Sequence, residues 1–231
     1  MTALVVASLA AREVGRRRLA LALMVSLPFW FYLVRHAQAG SSIRMLTLGI
    51  GWAVSTLTLF VVNASRSVDP RLRLTGASVV SIIGGRLLAM TGVGLALATG
   101  YGLVAVVDQD PLHPWSVMLM MAVTAIVAAP LGSLIGAVLP RELEGAFALF
   151  SFSAVQMLAD PGQLVAKLLP FWSSREIGNH AIDGGSGDLI WRGLAHGAAV
   201  WVICTAGTLA FFAWRLRLAR YPEPAAGRRP T

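Results

Sequence analysis

The sequence predicts an all-α polytopic membrane protein with six transmembrane helices, an N-terminal interfacial helix and a re-entrant half-helix between helices five and six. Three observations predict it. Hydrophobic residues fill 56% of the 231 positions and charged residues only 13%, whereas about a quarter of a soluble domain is charged. A water-soluble core has no room for that much apolar surface. The 19 arginines and lysines gather in short stretches between apolar runs, as orientation signals do. Finally, the apolar run 143–159 stops at Asp160-Pro161, and the piece after it ends at Pro170, too soon to cross a bilayer.

The same composition excludes several classes. The net charge of +8 is spread over the ends of apolar runs, which argues against a nucleic-acid surface. Cys204 is the only cysteine and lies inside an apolar run, so there is neither a disulfide framework nor a cysteine metal set. Lys167 is the only lysine, and no GxxxxGK[ST] pattern occurs. The chain therefore has no P-loop, and no cofactor is expected in it.

Residues 1–18 end in the basic cluster Arg16-Arg17-Arg18 and read as an amphipathic helix in the membrane interface. A loose tail with a positive-inside signal is the alternative. Spans follow at about 19–34 and 45–64. Ala37-Gln38-Ala39 has the form of a signal-peptide cleavage site, but Arg35 and His36 before it and the long leading region oppose cleavage. The basic segment 64–86 contains Asp69-Pro70, an N-cap followed by a first-turn proline. A short helix over 70–74 is expected, broken by Thr75-Gly76, with Ser78 capping the next helix. The third and fourth spans cover about 87–107 and 115–139, and Gly132 and Gly136 form a GxxxG pair in the fourth. Small residues of this kind mark close helix packing, within the chain or between subunits.

The fifth span, 143–159, follows the charged corner Arg141-Glu142-Leu143-Glu144, whose carboxylates suit a helix N-terminus. No nucleophile or metal ligand accompanies them, so no enzyme chemistry is expected there. Gln156 is the polar group of this span and needs a partner in lipid. Asp160-Pro161 predicts a second capped helix over 161–169, about 14 Å long and too short for a ~30 Å core. Residues 173–188 read as a flexible hydrophilic loop, and Asp183–Asp188 lacks the spacing of a calcium loop. The sixth span runs from about 190 to 214, with His196 near its start as a packed, hydrogen-bonded histidine. A basic, proline-rich tail covers 215–231. With both termini cytoplasmic, 14 of the 19 basic residues fall inside, and only Arg35, Arg44, Lys167, Arg175 and Arg192 fall outside.

This layout resembles the permease subunits of ABC exporters of the drug-, lipid- and polysaccharide-exporting type, the six-helix type V fold. The resemblance rests on the interfacial helix, the basic loop with RLTGAS at 73–78, the glutamate-bearing corner and the broken hairpin with LPFW at 169–172. It implies a second permease chain as partner and separate ATP-binding cassette subunits, carrying ATP and magnesium, docked at the cytoplasmic face. It also implies that Asp69, Arg71, Arg73, Thr75 and Gly76 form a coupling helix, with Arg141, Glu142 and Glu144 at a second contact. Asp160, Pro161, Leu164, Leu168, Pro170 and Phe171 would form an outer gate, and Gln156 and His196 would be polar groups of the pathway. The short outer loop departs from members with large extracellular domains. The arginine-over-lysine usage suggests a bacterial cytoplasmic membrane, and the apolar outer halves of the spans suggest a hydrophobic or amphipathic cargo. An ion-coupled carrier or channel, or a non-transporting anchor, is the alternative.

Overall fold

The structure, a computed structural model, describes residues 3–16, 18–159 and 163–216. Within them every regular element is a helix: α1 Ala3–Arg16, α2 Arg18–Val34, α3 Ala39–Ala64, α4 Asp69–Leu74, α5 Val79–Gln109, α6 Pro114–Val138, α7 Glu142–Leu158, α8 Leu164–Leu168, α9 Trp172–Asp183 and α10 Asp188–Arg215. Four of these are long and apolar enough to cross a membrane: Gly40–Ala64 in α3, then α5, α6 and α10. The other two expected spans are α2 and α7, 17 residues each. At 1.5 Å per residue such a helix reaches about 25 Å, just under the ~30 Å core.

The bundle is built around α3 and α6. In their most apolar stretches 78% and 67% of residues are buried, against 28% for α5 and 22% for α10. A helix buried all round needs no polar face, and α6 accordingly buries residues on every side, from Ser116 to Ala137. α5 and α10 instead expose Leu88, Leu103, Val202 and Ile203, the surface a bilayer would cover. Four buried hydroxyls bond back within their own helices: Thr47 donates to the Ile43 carbonyl, Ser55 to Gly51, Thr58 to Val54 and Thr208 to Cys204.

The glycines of the GxxxG pair are accounted for inside the chain. A Cβ on Gly132 would run into the Ser55 backbone carbonyl, and one on Gly136 would crowd Leu59 and Val62. The pair is the close approach of α6 to α3. On α5, Gly94 faces Val54 and Ala125 and Gly102 faces Met118, whereas a Cβ on Gly92 or Gly100 would enter open space.

Some helix ends match the sequence expectation and others move. α1 forms, and it docks through Val6, Ala10 and Val14. Its Ala3 carbonyl and Val6 fill the space beside Gly85 of α5, while Leu4, Val5 and Leu9 stay exposed. α3 starts at Ala39 instead of near Met45, which places Arg44 on a helix. Ser78 caps α5 as expected, accepting from the Ser81 amide at 3.0 Å.

The largest correction concerns 173–188, expected as a flexible loop. Most of it is α9, which buries Trp172, Ser173, Glu176, Ile177 and Ala181 on one face. Four of its buried residues, Ser173, Ser174, Gly178 and Ala181, are small, and small residues permit close contact. A Cβ on Gly193 of α10 would sit 2.7 Å from the Ser173 carbonyl oxygen and from Ile177. Gly184, with φ of 71°, ends α9 in the left-handed region. Of the expected half-helix 161–169 the described part is the five-residue α8, and Asp160 and Pro161 lie outside the described residues.

Candidate functional site

Two clusters of functional candidates sit at opposite ends of the bundle. At the first end α3, α6 and α10 finish and α4, α5 and α7 begin. Asp69 was expected to cap α4 from an exposed loop. Instead its carboxylate is fully buried and pairs with Arg86 of α5, itself 4% exposed. The correction has a physical cause. A carboxylate in the first turn of a six-residue helix gains more from a guanidinium on the neighbouring helix than from an amide of its own turn. Arg215, from the end of α10, approaches the second Asp69 oxygen at 4.0 Å and donates to the Arg66 carbonyl at 3.4 Å. Arg66 in turn donates to the Gly136 and Ala137 carbonyls at 2.6 and 3.0 Å, satisfying the C-terminal end of α6. Burial lowers the Arg66 pKa, the nearby Arg215 charge lowers it further, and Asp69 offsets part of this.

The network turns one face of α4 inward and leaves the other outward. Arg73 donates to the Ala77 carbonyl at 2.8 Å, whereas Pro70, Arg71, Leu74, Thr75 and Gly76 are exposed, Leu74 by 76%. Gly76 adopts φ of 87°, which a side chain would strain. The corner before α7 lies at the same end. Arg141 and Glu144 pair at 2.9 Å on the surface, Glu142 is exposed, and Leu143 is 85% exposed. Gly145 then tucks against Leu59 of α3.

At the opposite end, a cavity of about 530 Å³ opens between α3, α6, α7 and α9. Its lining includes Arg35, Arg44, Thr124, Gln156, Phe171, Ser174 and Arg175. Gln156 has the partner its position demands, accepting from the Phe171 amide at 3.3 Å. Arg44 donates to Asn179 at 3.1 Å and to Asp183 at 2.6 Å, tying α3 to α9. Thr124 and Ser174 share a buried hydroxyl contact across α6 and α9.

The other residues expected at this end separate. Phe171 is buried and lines the cavity, Pro170 is half-buried, and Leu164 and Leu168 point away, 76% and 81% exposed. His196 does not meet Gln156. Its Nε2 bonds the Lys167 carbonyl at 3.0 Å, and its ring lies edge-on to Trp172, so it fastens α8 to α10. The cavity residues Arg35, Arg44, Thr124, Ser174, Arg175 and Asn179 were not singled out from the sequence. Reading 173–188 as a linker hides half of them, and Arg35 and Arg44 read from the sequence as charges flanking membrane spans. Among the described residues, no three His, Cys, Asp or Glu side chains converge as a metal site. No family model and no curated protein matches this chain.

Proposed function

We propose that the chain is the membrane-spanning permease subunit of an ATP-driven exporter, with ATP hydrolysed on a separate ATP-binding cassette subunit. The observation that supports it best is the construction of the α4 end. A six-residue helix presents Arg71, Leu74 and Thr75 outward, while its buried Asp69 is tied to α5 through Arg86 and approached by Arg215 of α10. A push on the exposed face would therefore reach two long apolar helices directly, as a contact with a separate motor subunit requires. Arg141, Glu142 and Glu144, exposed at the same end, extend that contact surface.

In this reading α2 and α7 complete six spans, with slight local thinning of the bilayer making up their length. Both termini and α4 face the cytoplasm of a bacterial cell, and two permease chains pair. The cavity lies on the outer half of the export route, with the α8–α9 segment above it. The test is co-purification from the native membrane followed by ATPase assay. An associated ATP-binding subunit whose activity falls in Arg71→Glu and Leu74→Glu, with the protein still folded, supports the reading; a chain that purifies without any ATP-binding subunit refutes it.

A further inference from the structure

We infer that the cavity between α3, α6, α7 and α9 binds an anionic amphiphile, its acidic head against Arg35 and Arg175 and its chain along Met45, Leu48 and Met157. The inference deepens the export reading, and rests on it only where the bound molecule is taken to be cargo.

The volume of about 530 Å³ falls within the range of sites that enclose small ligands. The charge balance within it is one-sided. Three guanidiniums line the cavity, against Asp183 as the single carboxylate in the lining, and Asp183 is engaged by Arg44 at 2.6 Å. Among the described residues Arg35 bonds only the neutral Gln38 side chain, at 3.3 Å, and Arg175 only the Ala159 carbonyl, at 3.1 Å. Among the described residues, two positive charges therefore face the space without an anion. A guanidinium presents a planar fork of donors matched to a carboxylate, sulfate or phosphate, and such bonds are the strong ones. A cationic amphiphile would meet like charge, and a neutral one would leave both charges uncompensated. The methionines and Leu48 supply the apolar half of the site, with flexible thioethers that adapt to chains of different shape.

The experiment uses the full chain in phosphatidylcholine nanodiscs, with empty discs subtracted. It is titrated with dansyl-undecanoic acid and with a dansyl amine of equal chain length. The acid is expected to bind at least about tenfold tighter than the amine, and Arg35→Gln/Arg175→Gln to remove that preference by weakening the acid while the amine binds no more weakly than before. Met157→Trp, which fills the cavity without altering charge, should weaken both probes. Equal binding of acid and amine, or unchanged acid binding in both variants, overturns the proposal. Adding phosphatidylglycerol to the discs identifies the source: competition points to a lipid headgroup, and an unaltered titration to a soluble amphiphile. A chain that binds the acid yet associates with no ATP-binding subunit keeps the site and loses the export reading; the converse loses the site alone.

Discussion

The two ends of the bundle use the same residue type in opposite ways. At the α4 end Arg66, Arg86 and Arg215 turn inward, onto one buried carboxylate and onto the last carbonyls of α6. At the other end Arg35, Arg44 and Arg175 line open space, and a single carboxylate engages only one of them. The first arrangement fixes helices in place, because a buried charge with defined partners allows one geometry. The second leaves charge available to something outside the chain. Position in the sequence does not separate the two groups, since all six arginines flank apolar runs; burial and partners do.

The comparison can be broken most forcefully at Asp69. Asp69→Asn leaves Arg86 buried without its counter-charge, a loss of about 3–5 kcal/mol, to be seen as a clear drop in melting temperature in detergent. Arg71→Ala, two residues away on the exposed face, should stay within about 0.5 kcal/mol of wild type while uncoupling ATPase activity. If the two substitutions destabilise equally, the division of α4 into an anchored and a free face is wrong.

A smaller effect is expected where α6 crosses α3. Gly132→Ala drives a methyl group into the Ser55 carbonyl and should cost about 1–3 kcal/mol. Gly92→Ala on the open side of α5 should be neutral or stabilising by up to about 1 kcal/mol, through helix propensity. Paired thermal melts of these variants would check whether the GxxxG pair serves the chain's own core. A stable Gly132→Ala that instead loses self-association would return the pair to a subunit interface. The smallest effect belongs to the surface pair Arg141–Glu144. A double-mutant cycle there should give about 0.3–0.5 kcal/mol or less, so any large loss of ATPase activity from either single variant would report a partner contact.

Much of the fold was legible because bilayer physics writes it into hydropathy. The long apolar runs and the cap at Ser78 follow from length, periodicity and turn chemistry. What the sequence hid was α9. Its buried face consists largely of serine, glycine and alanine, with Glu176 held by Arg192 at 3.3 Å. Local hydropathy reads such a face as loop, although its smallness is what lets α9 lie against α10. Asp69 failed for a related reason. Aspartate before proline is a strong local signal for a cap, and the arginine that overrides it is 17 residues further along. Hydrogen exchange gives the α9 assignment a direct check, with amides from 175 to 183 expected to be protected like those of the neighbouring helices rather than exchanging as a linker would.

The central claim is that the outer face of α4 meets an ATP-binding subunit. A photo-crosslinking amino acid placed at Leu74 tests it in the native membrane, with the same group at Leu112, exposed at the opposite end of α5, as the control. The account predicts an adduct with an ATP-binding cassette subunit from position 74 and none from position 112. An adduct from both positions, or from neither, would contradict it.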